Sequence, residues 1–195
     1  AAMHRSVVVR QVAPAVALLV AGENQRLQTV CDALFQLFNY TGRYDESLSL
    51  NQQAEAKAVS AGDYDRAGWR AYQTGWVHHL RQEADAVLDC ADRATTHWQI
   101  ANAGARERAF AIRLRGLGHR LKDDYPAAIA AYREALALWR SLAAESEDVA
   151  IALLSLAEAE RFSGDYAAAE RGYREALRMA RAIGYAEGEA NLTGN

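Results

Sequence analysis

The sequence predicts an all-α fold, a solenoid of antiparallel helix pairs, and two observations carry the prediction. The first is a tyrosine-led pattern that recurs at a fixed step. After Gly164-Asp165 come Tyr166, Ala169, Tyr173, Ala176 and Leu177 at helical spacing, and after Asp124 come Tyr125, Ala128, Tyr132, Ala135 and Leu136, 41 residues earlier. The same step back from Tyr125 lands on Ala84, with Ala91 and Ala94 in the places of Tyr132 and Ala135, and a further step of 40 reaches Gly42-Arg43-Tyr44, with Ala54 beyond it. The second observation is another helical pattern upstream of each turn, with a matching position held by Phe35, Gly75, Gly116 and Ala157. Three of these four are small, and a small residue lets two helix backbones approach closely. Each unit therefore reads as helix, tight turn, helix. One such hairpin cannot bury its apolar stripe alone, and stacking of neighbours closes the core.

Taken in order, residues 1–23 precede the repeats. Val7-Val8-Val9 and Val12 to Ala21 form an apolar run broken by Arg10, Gln11 and Pro14. The run is too short and too interrupted to span a membrane, and it lacks the cleavage signature of a secretory leader. It predicts a capping helix from about Pro14 to Ala21, with proline tolerated in the first turn. The first repeat covers residues 24–62. Its opening helix, from about Asn24 to Tyr40, carries Leu27, Val30, Cys31, Leu34, Phe35 and Phe38 at the three-and-four spacing of a packed face. Its second helix, from about Tyr44 to Ser60, is less apolar and offers Leu48, Ala54 and Ala58 to the core. Gly62-Asp63 supplies a C-terminal and then an N-terminal cap.

The second repeat, residues 63–103, places Trp69, Tyr72, Trp76, His78 and His79 on its first helix, about Tyr64 to Arg81. Val87, Cys90, Ala91 and Trp98 lie on its second, about Glu83 to Ile100. The third, residues 104–144, has helices from about Ala105 to Leu121 and Pro126 to Ser141, with Asp124 as cap. The fourth, residues 145–183, has helices from about Ser146 to Phe162 and Asp165 to Ala182. Residues 184–195 read as the start of a further repeat, so the sequence reads as one solenoid domain and as a piece of a longer array. The five repeat tyrosines, Tyr44, Tyr125, Tyr132, Tyr166 and Tyr173, read as core or turn-packing residues. Trp98 and Trp139, 41 apart on second helices, read as packing between repeats.

Bulk composition agrees. The 195 residues are 51% hydrophobic and 24% charged with 2 prolines, which suits a globular helical domain. The net charge of −3 gives no reason to expect nucleic acid. Two cysteines, Cys31 and Cys90, sit in different repeats and read as free and buried, which suits a cytoplasmic, reducing compartment.

Chemistry-bearing motifs are missing. No dinucleotide, P-loop or metalloprotease fingerprint occurs, and Gly62, Gly68 and Gly75 are separated by charged and aromatic residues. His78-His79 are adjacent on a helix and point about 100° apart, so they cannot chelate as an i, i+4 pair would. Acid pairs such as Glu158 with Glu160, and Asp123 with Asp124, fit solvated faces and turns. The expectation is a non-enzyme with no catalytic residue, no metal and no cofactor.

Residues Gly75, Gly116 and Ala157 on first helices, Gly42, Gly164, Tyr44, Tyr125 and Tyr166 at turns, and Ala128, Ala169, Tyr132, Tyr173, Ala135 and Ala176 on second helices resemble the tetratricopeptide repeat family over residues 24–182. The step is longer than the family's usual one. It is similar to the long-helix variety in kinesin-light-chain-like proteins and in the C-terminal sensor regions of bacterial STAND/NB-ARC-type signalling ATPases. The resemblance implies a right-handed superhelix whose first helices line a concave groove, with fixed places facing inward. One column holds Asn39, His79, Arg120 and Arg161; a second holds Asp32, Tyr72, Arg113 and Leu154. A third holds Gln36, Trp76, Leu117 and Glu158; a fourth holds Thr29, Trp69, Phe110 and Ile151. The lysines and asparagines with which one subclass binds chaperone C-termini are absent from the corresponding places.

Trp69, Tyr72, Trp76, His79, Arg113, Leu117, Arg120 and Arg161 are the candidate binding residues, because rings beside arginines suit polypeptide recognition. A plainer reading stands beside it: Trp69 and Trp76, seven apart, share a stripe that packs as core, and Arg113 and Arg120 form a solvated face. The implied function is a protein- or peptide-interaction module, the sensor or scaffold part of a larger bacterial signalling or regulatory protein. Its implied partner is an acidic protein or peptide, with no membrane or nucleic acid; the oligomeric state stays open. An intracellular receptor for a signalling peptide and a structural self-association spacer are the alternatives. The register makes a first prediction. Ala169→Leu overpacks the contact between the two helices of the fourth pair and costs about 1–3 kcal/mol by chemical denaturation. An unchanged midpoint would show the register to be wrong.

Overall fold

A computed structural model describes residues 22–185 of the chain. The expected capping helix before residue 22 and the expected further helix after residue 185 lie outside the described residues. Eight helices follow one another: α1 (Asn24–Thr41), α2 (Tyr44–Ser60), α3 (Tyr64–Leu80), α4 (Ala84–Ile100), α5 (Ala105–Leu121), α6 (Tyr125–Leu142), α7 (Glu147–Phe162) and α8 (Tyr166–Ile183). No strand occurs among the described residues. Each helix packs on its chain neighbours, and beyond these α1 touches α3 and α3 touches α5. The odd-numbered helices thus form an inner layer and the even-numbered ones an outer layer of a helical solenoid.

Local chemistry explains the breaks. Asp63, Asp124 and Asp165 each cap the helix that follows by accepting from the backbone N–H three residues on, at 3.2, 3.2 and 3.0 Å, and Ser146 does the same for Val149 at 3.3 Å. Seven of the eight helices close with a backbone bond from the residue five positions on, from Arg43 N–H to Phe38 O at 2.9 Å through to Tyr185 N–H to Ala180 O at 2.8 Å. That closure needs a left-handed residue, supplied by Gly42, Gly62, Gly164 and Gly184, and by Gln82, Asn102 and Asp123 in the equivalent turns. Helix α6 is the exception: Ala143 after it is extended, which opens a longer link to α7.

In the second, third and fourth pairs the small position permits the close approach read from the sequence, while the first pair holds Phe35 there. A Cβ on Gly116 would stand 2.6 Å from the Tyr132 ring, and one on Gly75 would stand 2.6 Å from Leu114 and 2.8 Å from Cys90. In the fourth pair the relation is reciprocal, with Gly172 facing the Ala157 methyl. The principal core runs from Val87 and Cys90 through Leu114, Leu117, Tyr132 and Trp139 to Leu153, Ala176 and Met179. A smaller core of Leu27, Cys31, Phe38, Leu50 and Ala54 serves the first pair. Arg115, which breaks the apolar pattern of α5, is half-buried and reaches Glu134 of α6 at 3.4 Å, so Leu114 and Leu117 keep their inward places.

Between the first two repeats the link is ionic. Arg70 is fully buried and pairs with Asp32, which also accepts from Arg66 at 3.1 Å. Cys31 and Cys90 are both free and buried, and burial pushes each thiol up to about 11.

The tyrosines divide. Tyr132 is fully buried, and Tyr125 stacks on Phe162 of the next repeat at 6.0 Å. Tyr166, expected as a packing residue, is instead 72% exposed.

Gly116→Ala places a methyl against a fully buried ring. It should destabilise the protein by about 1–3 kcal/mol despite the roughly 1 kcal/mol gained in helix propensity. Urea denaturation of the variant measures this, and a variant as stable as the parent would remove the steric account of the pair geometry.

Candidate functional site

The inner layer encloses a groove of about 780 Å3. Phe35, Gln36, Asn39 and Tyr40 from the C-terminal half of α1, with Tyr44, form one end. Tyr72, Trp76 and Leu80 of α3 and Phe110 and Arg113 of α5 form the middle. Glu147, Asp148, Ile151 and Leu154 from the N-terminal half of α7, with Trp139 and Tyr185, form the far end. The groove therefore crosses the inner helices obliquely, from the C-terminal half of the first to the N-terminal half of the last.

Its floor is aromatic, and a glycine makes that possible. Gly68 leaves room for the Trp98 indole, which would lie 2.4 Å from a Cβ there. Trp98 packs edge-on to Trp69 at 5.3 Å, and Trp69 in turn meets Tyr72 at 5.9 Å and Phe110 at 5.2 Å. Phe110 meets Trp139 at 5.2 Å, so one chain of rings joins the second repeat to the third.

Arg113 sits in this aromatic wall. It is only 8% exposed, lies over the Trp76 ring at 5.4 Å and donates to the Tyr72 hydroxyl at 3.3 Å. It forms no ion pair among the described residues, and its Nε is buried without a hydrogen-bond partner. The cation is therefore held by rings and a hydroxyl and its charge is left uncompensated at contact range. Burial holds the Tyr72 hydroxyl above its ordinary range, with Arg113 pulling the other way, so Tyr72 stays a neutral phenol.

Three of the eight candidate residues, Tyr72, Trp76 and Arg113, line the groove. Trp69 stands behind it in the aromatic floor, and His79 rests against Trp76 at 5.4 Å. Arg120 is half-buried near Tyr132, seven residues along α5 from Arg113. Leu117 does not face the groove: it is 4% exposed in the principal core, because Gly116 and Gly118 bring α5 close to its neighbours there. Arg161 is exposed over Phe162 at 4.1 Å, past the point where the groove has crossed to the other half of α7. The columns failed at these two places because they assumed a groove straight across the helices. The equivalent end-of-helix positions Tyr40 and Leu80, 40 residues apart, were visible in the repeat and line the groove. Trp139 reached it from a second helix, which no column included.

No group of three His, Cys, Asp or Glu side chains among the described residues is placed to hold a metal ion. No helix among them is long and apolar enough to cross a membrane.

Residues 107–182 match the family model of the tetratricopeptide repeat, a repeat that generally serves as a non-catalytic scaffold for protein–protein interaction. No curated protein sequence matches the chain. Among solved structures, the crystal structure of BtubC (BKLC) from P. vanneervenii is similar, with a TM-score of 0.68 at 17% identity, covering 84% of this chain and 66% of that one. At that identity the likeness is one of fold, and the chain spans just under two thirds of that protein's length.

His79 supplies a pH prediction. Burial first, then the charges of Arg120 and Arg113, lower its pKa to about 4. The imidazole is neutral in the folded protein near pH 7, and the unfolded chain takes up its proton first as pH falls below about 6.5. The stability tied to the depressed pKa is thus present above pH 6.5 and is lost as pH falls toward 4. His79→Gln should show a smaller loss between pH 6.5 and 4.5 than the parent in parallel thermal melts. Equal slopes would show that His79 titrates normally.

Proposed function

We propose that the chain is a non-catalytic module that holds an extended polypeptide of acidic character in its concave groove, as the sensor or scaffold part of a larger cytoplasmic signalling or regulatory protein. The observation that carries this reading is Arg113, a nearly buried cation that lines the groove and forms no ion pair among the described residues. A carboxylate from a ligand offers it a charge-assisted hydrogen bond in a site screened from water, where such bonds are strongest. The aromatic floor adds contact area at low entropy cost, since each ring has few rotors to freeze. Glu147 and Asp148 at the far end oppose a second acid and set which way an acidic segment lies.

The general role of the matched repeat in protein interaction supports the same reading. Placement within a bacterial signalling protein rests on the resemblance of repeat length alone, and the domain order of the full-length gene tests it.

The binding reading is tested with fluorescent peptide pools, degenerate except for a fixed glutamate, and two variants. Trp76→Ala removes a half-buried ring from the groove wall and should weaken binding by about 2 kcal/mol, roughly thirtyfold, while the protein stays folded. Arg113→Gln should weaken it comparably and flatten its salt dependence. Unchanged binding by a folded Trp76→Ala protein would reject the groove. Loss of the folded state would place Trp76 in the core and leave Arg113→Gln as the deciding variant.

A further inference from the structure

The groove is lined by two unpaired charges of opposite sign, at different places along its length. Arg113 in the middle is the cation. Its Nη1 donates to the Tyr72 hydroxyl, and no carboxylate among the described residues pairs with it. Glu147, in the first turn of α7 at the far end, is the anion. Its side chain is exposed and forms no ion pair or hydrogen bond among the described residues. Asp148 beside it is already matched, by Arg106 of α5 at 3.5 Å.

Rings and aliphatic side chains make up the lining shared by these two places, with Phe110, Trp139, Ile151 and Leu154 among them. The far end also shows what it accepts. The Arg106 guanidinium lies over the Phe110 ring at 5.2 Å while it reaches Asp148, so a ring and a carboxylate together already hold one cation there. Glu147 is the adjacent carboxylate without a cation, and Trp139, whose ring meets Phe110 at 5.2 Å, lines the same end. A segment of one sign throughout satisfies one place and is repelled by the other. A segment with an acidic residue and, farther along, a basic one meets both, and the residues between them cover the apolar lining.

We propose that the polypeptide taken by the groove carries a basic residue beside its acidic one, with the acid on Arg113 and the base on Glu147. Resting on the groove reading above, this charge pattern shares Arg113 with it; Glu147 belongs to the cation subsite alone. The apolar stem of the basic side chain packs on Trp139 and Ile151 while its charged head reaches Glu147 at the exposed end. Packed helices stand about 10 Å apart and an extended chain rises about 3.3 Å per residue. Since α5 and α7 are inner helices of successive pairs, the base falls roughly three to five residues from the acid.

Fluorescence anisotropy on the whole chain tests this with three degenerate peptide pools, each with one fixed glutamate. At roughly three to five residues to either side, as a mixture of registers, the first pool carries arginine, the second glutamine and the third another glutamate. The arginine pool should bind at least about fivefold more tightly than either of the others. Glu147→Arg should reverse the order, so that the two-glutamate pool binds most tightly; the exposed side chain can be exchanged without loss of a core contact. Equal binding of the arginine and glutamine pools to the parent overturns the cation subsite and leaves the acidic groove standing. Failure of all three pools to bind overturns both. An arginine preference that persists in Glu147→Arg overturns the assignment to Glu147. Should that variant fail to fold, Glu147→Gln decides: the preference should fall below about twofold, and a preference kept at its parent value overturns the subsite.

Discussion

Everything in this solenoid depends on how closely the two helices of a pair can approach. The approach is set by residues without side chains at the crossing, and the gaps they leave are filled at once. Leu114 and Cys90 press on Gly75, the Tyr132 ring presses on Gly116, and Gly172 meets the Ala157 methyl. Close-packed interiors transmit such constraints rather than absorbing them. The position of Trp98 over Gly68 therefore governs more than the core. Trp98 supports Trp69 and Tyr72, and Tyr72 accepts the hydrogen bond of Arg113. A helix-packing glycine and a groove cation are thus three contacts apart.

The charges follow the same repeat but divide by face. Along the turns, Arg81 meets Asp45 at 2.7 Å and Lys122 meets Asp85 at 2.5 Å, one repeat apart. On the outer layer, Glu55 takes both Arg93 and His97 at 3.0 Å, and Arg140 meets Glu175 at 2.7 Å. The exposed pairs contribute little stability, and their shared effect is to set how one repeat sits on the next. On the inner layer the arrangement changes. Arg70 is paired with Asp32, but Arg113 and Arg120 are left with rings and hydroxyls. A chain that is slightly acidic overall thereby sets an unpaired Arg113 in the middle of its groove, with Glu147 and Asp148 at the far end.

The split is reinforced by histidine. Burial, with the charges of Arg120 and Arg113 adding to it, holds His79 neutral, so it adds a ring and a polar edge beside Trp76 without a further cation. His78 and His119, one repeat apart, instead meet the acids that precede the next helix, Glu83 and Asp124, at the turns. The same residue type serves the solenoid's joints on one side and packs against the groove's Trp76 on the other, and burial together with the neighbouring charges distinguishes the two.

The helices, their pairing and their turns were legible in the sequence, because each is set by local chemistry that repeats every 40 or 41 residues. Asp caps, left-handed turn residues and small crossing positions recur in most units, and periodicity averages out the noise in any one copy. The aromatic and basic character of the concave face was legible for the same reason, as a column of residues on one helix face. What the columns could not carry was the path of the groove. That path depends on the rotation accumulated from pair to pair, which arises from side-chain packing between helices far apart in sequence. The rotation brought Tyr72, Trp76 and Arg113 together with Tyr40, Trp139 and Glu147, and it left Leu117 in the core and Arg161 outside. Burial of Arg113 without an acidic partner was likewise a tertiary outcome, since a sequence records that an arginine is present and not which carboxylates fall out of its reach.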